Sequence, residues 1–422
     1  MIDRIAEILT LSENDKEPMA SYVKVELKSH FEKSELRNVV LTAARENTDL
    51  CKYPQWSNSS LVWHQSQSVD GIIFTGSLDE FYREPIPFGP TPVWRVIVED
   101  SKTFHLAVHH ALADGVSIMK IVMLLVEYLR CETETSKPTL QLTAREKSSS
   151  PKNMVVYICR VLFALIKRRL RELFFAPLLL GAKSSESGQS IFQHYRVIKA
   201  ERFQKILTNI RSHSFPTTIL DQLLVSINRS IEWHVDQNKK NHAANEQRIS
   251  ILLPFDRRGH QLTGGPLWNC VGTININTRP PDRRSKDTLS HAIRKQTERI
   301  NQERIYSTSF AVTNYVIWMF KTGILSALER ITPSFLKSQS WRSENTACLT
   351  FMPIFPGKSE VLAHIESIHG VAPVRMPMGI SIGAGIFNKS LTLCLRASDA
   401  CLSKEESRNI LDRMIEDLES SW

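Results

Sequence analysis

Two adjacent histidines, followed by an aspartate and a glycine, are the residues in this sequence best suited to chemistry. They stand in the run His109-His110-Ala111-Leu112-Ala113-Asp114-Gly115. Successive residues of a strand point to opposite faces, so one histidine can face the core while the other faces a cleft. A histidine with an ordinary pKa of about 6.5 accepts and returns a proton at neutral pH. The run indicates His110 as a general base, Asp114 as a residue that fixes geometry, and Gly115 as the site of a tight turn.

The flanking sequence places the histidines between a strand and a helix. Alternating residues over 93–99, a polar turn at 100–103 and the strand-like segment 104–109 predict a β-hairpin. Residues 116–130 are apolar around most of their circumference, which predicts a buried helix. Asp114 is also a good N-cap for that helix, so a purely structural role for the run stays open.

The rest of the chain mixes strand and helix patterns, which favours an α/β or α+β fold. Strand-like segments occur at 191–198, 249–254, 346–354, 361–367 and 377–397, and helical patterns at 201–211, 217–237, 288–302, 310–328 and 403–419. Residues 131–150 are typical of a surface loop. A polar linker at 181–189 predicts two lobes: an N-terminal lobe of residues 1–182, which carries the histidine run, and a C-terminal lobe of residues 183–422.

The composition narrows the class of protein. The chain has 422 residues, 42% of them hydrophobic and 23% charged, as in globular proteins. Its seven scattered cysteines contain no C-x-x-C pair, which favours a reducing, cytoplasmic compartment. Charges interrupt the first residues and no uncharged apolar run reaches about 18 residues, so we predict neither a signal peptide nor a spanning helix. The net charge of +9 is compatible with binding to nucleic acid, to a membrane surface or to a small anionic ligand, and it does not distinguish these partners.

The histidine run and its surroundings resemble a known family. His-His-x-x-x-Asp-Gly between an apolar strand and an apolar helix resembles the signature of the CoA-dependent acyltransferase superfamily, which includes chloramphenicol acetyltransferase, alcohol and polyketide-associated acyltransferases, and the condensation domains of peptide synthetases. Residues 44–50 are similar to the family's R-H-x-x-L-R segment without its histidine. Residues 254–272 are similar to its P-V-N-x-R and G-N-x-x-G region, and the strand 390–397 with the final helix also fits. The plant branch's Asp-Phe-Gly-Trp-Gly motif is absent.

This resemblance implies a fold of two chloramphenicol-acetyltransferase-like lobes with a central tunnel. It also implies that His110 removes a proton from an acceptor hydroxyl or amine, which attacks a thioester without an acyl-enzyme intermediate. The co-substrate would be acyl-CoA or an acyl-carrier protein, with no bound cofactor and no metal. Asp114 would pair with Arg45 and hold the loop that presents His110, with His109 and Gly115 in support. The other interpretation of Arg45 is a solvated helix residue.

Two further residues are candidates for stabilising the oxyanion or contacting substrate, Ser381 and Asn269, although core or turn roles are more common for such residues. Ser381 also lies in residues 379–383, which match the G-x-S-x-G nucleophile elbow of hydrolases. That elbow requires a strand, a sharp turn, a helix and a later histidine. The last histidine is His369, and strand-like sequence follows Ser381, which disfavours a hydrolase.

A metal site is a further interpretation of the histidines, with His105, His109, His110 and Asp114 as ligands. His110 does not share the strand face of His105 and His109, and no cysteine or carboxylate cluster accompanies them, so this interpretation is disfavoured. Residues 383–385 (Gly-Ala-Gly) lack the rest of a dinucleotide fingerprint.

Two apolar segments with basic residues, 153–181 and 310–328, fit either the core or an anionic membrane surface. Together they favour a long-chain acyl or lipid-like substrate. Basic residues are spread along the chain without an aromatic-basic module, which disfavours nucleic acid. The sequence therefore predicts a monomeric cytoplasmic O-acyltransferase, with peripheral membrane contact, that acts on a small-molecule alcohol. The alternatives are a stand-alone amide-forming condensation enzyme and a non-catalytic lipid-binding protein on the same fold.

Overall fold

The described part of the protein contains a four-stranded antiparallel sheet, a six-stranded mixed sheet and the helices that cover them, with a separate two-stranded hairpin. The computed structural model describes residues 19–57, 60–134, 177–180, 191–212, 215–237, 247–256, 271–303, 345–353, 355, 359–374 and 378–420. None of the described helices has the length and apolar content needed to span a bilayer.

The described strands and helices alternate through the chain. The strands are β1 (Ala20–Leu27), β2 (Lys52–Ser57), β3 (Ser60–Gln65), β4 (Trp94–Val98), β5 (Thr103–His109), β6 (Ile191–Ile198), β7 (Ile249–Asp256), β8 (Val271–Thr278), β9 (Ala347–Met352), β10 (Ile365–Val371), β11 (Ile380–Phe387) and β12 (Ser390–Ser398). The α-helices are α1 (Lys33–Glu46), α2 (Leu78–Arg83), α3 (Gly115–Glu134), α4 (Ala200–Ser212), α5 (Ile219–Gln237), α6 (Lys286–Glu303), α7 (Ser359–Ala363) and α8 (Lys404–Glu419).

The first sheet has the strand order β10-β1-β5-β4. All seven residues of β5 are buried, and residues 117–129 of α3 are buried as well. Alternate residues of β1 and β5 therefore enter one apolar core together with the buried faces of α1 and α3. This burial of both strand and helix fixes the turn between them, which carries the two histidines.

The second sheet has the strand order β6-β12-β11-β9-β7-β8 and two unlike faces. One face is aliphatic and forms a second core with α4, α5 and α8. The other, which we call the inner face, carries mostly small or polar side chains, with Met352 as the apolar exception, at alternate positions of three central strands, in register across the sheet. They are Cys348, Thr350, Met352, Ser381, Gly383, Gly385, Thr392, Cys394 and Arg396.

Strand β10 lies against the inner face of the second sheet while pairing with β1 in the first. A Cβ atom added to Gly383 of β11 would stand 1.7 Å from the carbonyl oxygen of Gly370 in β10. The other side of Gly370 faces Met119 of α3 and Val23 of β1. The two sheets therefore meet backbone to backbone at this point, and only glycine at position 383 permits the contact.

The structure confirms most of the predicted elements. The hairpin is β4 and β5, the buried helix is α3, and segments 191–198, 201–211, 217–237, 249–254, 288–302 and 403–419 match β6, α4, α5, β7, α6 and α8 to within two residues at each end. The predicted segment 346–354 corresponds to the slightly shorter β9. Segments 153–176, 181–189 and 310–328 lie outside the described residues.

Two predictions about local structure are wrong. Cys131–Glu134 continue α3 instead of starting a loop; residues 135–150 lie outside the described chain. The segment 361–367 is divided between α7 and β10.

The strand prediction for 377–397 is confirmed from Ile380 onwards, and the predicted strand 390–397 matches β12 to within one residue. The segment is a hairpin of two strands, β11 and β12, because Asn388 and Lys389 take left-handed φ values of 46° and 61° and turn the chain back.

The sheets do not follow the predicted division of the chain at residue 182. β10 belongs by sequence to the predicted C-terminal lobe, but it is the edge strand of the first sheet. Buried residues of α7 and β10 also join the core of that sheet. The first sheet is therefore built from residues before 182 together with β10, and the other described strands of the C-terminal part belong to the second sheet.

Candidate active site at the histidine turn

Main-chain hydrogen bonds fix the turn that follows β5. The His110 N–H donates to the Met19 carbonyl at 2.7 Å, and the Leu112 N–H donates to the His109 carbonyl at 2.9 Å. The His109 N–H donates to the Val93 carbonyl at 2.9 Å. The turn is therefore tied to the segments on both sides of β5, which limits the positions that its side chains can take.

The two histidines differ in exposure, as the alternation predicted. His109 is fully buried; its Nδ1 accepts the Ala111 N–H at 3.0 Å, and its ring makes an edge contact with Phe88, with centroids 4.7 Å apart. Since Nδ1 accepts, a neutral His109 carries its proton on Nε2. His110 is half-buried and is the more exposed of the two.

Asp114 is a helix cap in this structure. Its carboxylate is fully buried, and Oδ1 accepts the Ser117 N–H at 3.0 Å, three residues into α3. This is the N-cap geometry that the sequence left open beside a catalytic role. The cap holds the start of α3 and so the end of the turn that carries His110.

The predicted ion pair between Arg45 and Asp114 is not formed. Arg45 is exposed in the last turn of α1, whereas Asp114 is fully buried, and no ion pair among the described residues joins them. At that position the positive charge of Arg45 instead stabilises the C-terminal end of its own helix. The exposure of Arg45 agrees with the other interpretation of this residue, a solvated helix residue.

Gly115 does not supply a strained turn. It is the first residue of α3, and its φ lies outside the left-handed range. A Cβ added there would meet only the Cε of Met352, at 3.9 Å. Because Met352 lies on β9, Gly115 faces the second sheet across a gap that a single methyl group would fill.

The two candidates for the oxyanion have different outcomes. Ser381 is fully buried inside β11, on the inner face, where the neighbour of its hydroxyl is the Cys348 thiol, a weak hydrogen-bond partner. β11 continues into a hairpin with β12 and not into a helix, so residues 379–383 do not form a hydrolase elbow. Asn269 lies outside the described residues.

The resemblances to solved structures concern the fold. The structure is similar to the trichothecene 15-O-acetyltransferase TRI3 from Fusarium sporotrichioides, with a TM-score of 0.65 at 12% identity over 99% of this chain and 94% of that one. It is also similar to the starter condensation domain of rhizomide synthetase in complex with C8-CoA, with a TM-score of 0.60 at 12% identity over 99% and 94%. The wax ester synthase/diacylglycerol acyltransferase from Marinobacter aquaeolei gives a TM-score of 0.57 at 13% identity over 99% of both chains.

The chain has the fold of the CoA-dependent acyltransferases and condensation domains. The predicted fold class is therefore confirmed over nearly the whole sequence. No protein-family model and no curated protein sequence matches the chain. At 12–13% identity the similarity rests on the arrangement of strands and helices.

Sequence reasoning missed a group of polar residues between the two sheets of this acyltransferase-like fold. His105 on β5 is buried; its Nε2 lies 2.7 Å from the Glu99 carboxylate, and its Nδ1 is hydrogen-bonded to the Tyr82 hydroxyl. Both ring nitrogens are therefore engaged, and His105 has no lone pair left for a metal. Among the described residues, no group of three or more potential ligands could hold a metal ion.

His369 of β10 adds a buried titratable group at the same place and predicts acid sensitivity. Burial lowers the pKa of its imidazole to about 4, helped by the Lys24 ammonium and opposed by a hydrogen bond to the Leu393 backbone. The unfolded chain, with a pKa of about 6.5, then binds a proton first as the pH falls. We expect the free energy of unfolding to fall by about 2 kcal/mol between pH 7 and pH 5 from this residue alone.

Urea unfolding of the parent and of His369→Gln at both pH values checks this expectation. The parent should lose more stability on acidification than the variant, by the amount due to His369. Burial also lowers the pKa of His105 and His194, so some acid sensitivity should remain in the variant. Parallel losses in the two proteins would contradict the assignment to His369.

The cap at Asp114 predicts a modest and specific loss of stability. The cap alone contributes about 1–2 kcal/mol, so Asp114→Ala should lower the free energy of unfolding by at least that amount, whereas Asp114→Asn, whose side-chain oxygen can still accept the Ser117 N–H, should cost less. Urea unfolding measures both. Equal losses of about 3–5 kcal/mol in the two variants would instead indicate that the negative charge is paired inside the protein.

Proposed function

We propose that the protein is an acyltransferase that moves an acyl group from an acyl-CoA or a carrier-protein thioester to an alcohol, with His110 as general base. One observation carries the proposal: in a fold shared with acyltransferases, the fixed turn after β5 buries His109 and leaves His110 half-exposed. A histidine held in this way can meet a substrate without first reorganising the loop.

The proposed reaction is a direct displacement. His110 takes the proton of the acceptor hydroxyl while its oxygen forms a bond to the thioester carbonyl carbon. The tetrahedral intermediate then expels the thiolate by breaking the C–S bond, and the imidazolium returns the proton to the sulfur. The chain's own contribution is general-base help, worth about 10²–10⁴-fold, together with alignment of the two substrates.

The inner face of the second sheet is where we propose that the substrates meet the histidine turn. Gly115, at the start of α3, faces Met352 of that sheet across a gap that one methyl group would fill. The hydroxyls of Ser381 and Thr350 are buried on the inner face, and their neighbour there is the Cys348 thiol, a weak hydrogen-bond partner. A substrate oxygen would be a stronger partner, so we retain Ser381 as a candidate donor to substrate.

A stand-alone amide-forming enzyme is the second candidate. Condensation domains are among the similar structures, including one bound to C8-CoA and one bound to a substrate analogue. The chemistry at His110 would be the same, with an amine in place of the alcohol. The product, and not the fold, separates the two functions.

Release of free thiol tests the proposal directly. The purified chain is incubated with acyl-CoAs of increasing chain length and with panels of alcohols and amines, and products are identified by mass spectrometry. We expect thiol release that depends on an added alcohol and gives the ester mass. An amide mass would favour the second candidate. Binding of acyl chains without thiol release under any condition would contradict both and indicate a lipid-binding protein.

A further inference from the structure

A chain of hydrogen-bonded side chains crosses from the first sheet to the second. It begins at Glu99, which follows β4, and passes through His105 on β5 to Tyr82 on α2. The Tyr82 hydroxyl then lies 2.7 Å from the hydroxyl of Tyr195 on β6. The contact between Tyr82 and Tyr195 joins residues 113 positions apart in sequence and is the point where the chain passes between the two sheets.

Counting donors and acceptors gives the chain one direction. Glu99 also accepts from the Lys24 ammonium at 2.9 Å and is ionised, so His105 donates to it from Nε2 and accepts at Nδ1. Tyr82 must then donate to His105 and accept from Tyr195. The amide of Gln193 in turn donates to Tyr195, so every donor in the chain has an acceptor.

The chemistry of the two phenols keeps this arrangement in place. Burial raises the pKa of both Tyr82 and Tyr195 well above the usual range, so both keep the O–H that the chain requires. In a desolvated interior, a donor that loses its acceptor is costly. Moving the sheets apart here would leave the Tyr195 O–H without its acceptor and the Tyr82 oxygen without its donor.

A second contact supports the same junction. Arg396 on the inner face is buried, donates to the Tyr82 main-chain carbonyl at 2.8 Å, and lies 3.8 Å from the centre of the Tyr22 ring. It also donates to the Gln193 side chain at 3.0 Å, so it holds both sides of the contact. The arginine and the tyrosines together contribute side-chain contacts from three strands and one helix.

The junction and the backbone contact at Gly383 meet the inner face at different strands, β6 and β11. Two separated points of contact restrict the distance between two sheets and their relative rotation more than one point can. The strand β5 carries His105 and leads directly into the turn that contains His110. A change in the distance between the sheets at the junction would therefore also move that turn relative to the second sheet, which Gly115 faces at Met352.

We infer that Tyr82 and Tyr195 are positioning residues, whose hydrogen bond, supported by His105 and Glu99, holds the second sheet at the separation from His110 that acyl transfer needs. This inference rests on the proposed function, since it assigns a role in that reaction. Neither tyrosine is placed in contact with substrate. They act through the geometry of the passage.

A double-mutant cycle with Tyr82→Phe and Tyr195→Phe tests the inference, because each change removes one hydroxyl and keeps the ring. Tyr82→Phe leaves both His105 and Tyr195 without their hydrogen-bond partner, so we expect the folding equilibrium constant to fall about 10- to 100-fold. For Tyr195→Phe we expect this constant to fall about 3- to 10-fold. The double variant should be close to Tyr82→Phe alone, because the two hydroxyls act on each other. Tyr53→Phe, in the separate hairpin, is the matched control.

Two further readouts distinguish positioning from stability. In Tyr195→Phe, the exchange of backbone amide hydrogens should become about 3- to 10-fold faster in both β6 and α2. Exchange in the separate hairpin of β2 and β3 should not change. In fully folded protein, kcat should fall about tenfold or more in each single variant while KM for a short acyl-CoA changes less than twofold, and the kcat effects should not add.

These experiments distinguish a failure of the positioning role from a failure of the proposed function. Acyl transfer by the parent with unchanged kcat in both variants would overturn the positioning role and leave the function standing. Additive stability losses, or exchange that accelerates only beside the changed residue, would show that the junction does not link the sheets and would overturn the inference as well. A parent without transfer to any acceptor would refute the proposed function and this inference with it.

Discussion

His110→Ala is expected to lower kcat/KM for acyl transfer by about 10²–10⁴-fold while the protein stays folded. The loss follows from removing the half-exposed imidazole that the turn after β5 presents. The main-chain bond from residue 110 to the Met19 carbonyl does not need the side chain, so the turn itself should persist. Thiol release at saturating acyl-CoA, measured over a range of acceptor concentrations, gives the change in rate.

A second histidine provides the control for this substitution. His30 is exposed beyond the far end of β1, where its Nδ1 contacts the Ser101 hydroxyl at 2.8 Å, whereas the histidine turn lies beside the Ala20 end. His30→Ala should leave the rate unchanged. Circular dichroism and urea unfolding should match between both variants and the parent. Transfer that survives His110→Ala at more than about a tenth of the parent rate would refute His110 as the base.

Gly383→Ala is expected to have the largest effect on stability. The added methyl group would lie 1.7 Å from the Gly370 carbonyl oxygen and 3.2 Å from the Val371 Cα, and both neighbours are backbone atoms of a paired strand. No change of rotamer can relieve this overlap, so β10 must move away from β11. We expect the free energy of unfolding to fall by about 4 kcal/mol or more, at the upper end for a single substitution.

A glycine with free space around it is the matched control. A Cβ added to Gly89 has no heavy atom within 4 Å, so Gly89→Ala should change the free energy of unfolding little. Urea unfolding compares the two variants with the parent. A loss below about 1 kcal/mol for Gly383→Ala would show that the two sheets do not meet closely at β10 in solution.

The sequence predicts those parts of the fold whose signals are local. The hairpin of β4 and β5 was predictable from apolar residues at every second position, and the helix α3 from a nearly continuous apolar run. Both patterns are typical of buried elements. The difference between His109 and His110 was predictable from strand alternation alone. The change from helix to strand after Ala363 was not, because α7 is one short turn without a period of its own.

Contacts between distant residues were not predictable from one sequence. Nothing near Gly383 shows that a strand crosses its face, and nothing near Tyr82 indicates Tyr195. Arg45 shows the limit of a motif: a resemblance supplied its partner, but its place in the last turn of α1 exposes it to solvent. Which residues contact each other in these examples depends on their positions in the folded chain, and a single sequence does not give those positions.

The placement of β10 has a consequence for the order in which the molecule can form during synthesis. Among the described strands, β10 is the neighbour that covers this edge of β1, so its amide and carbonyl groups have that partner only after about residue 371 has left the ribosome. The first sheet is therefore complete only late in synthesis. A fragment that stops at residue 182 would keep that edge open and be prone to self-association.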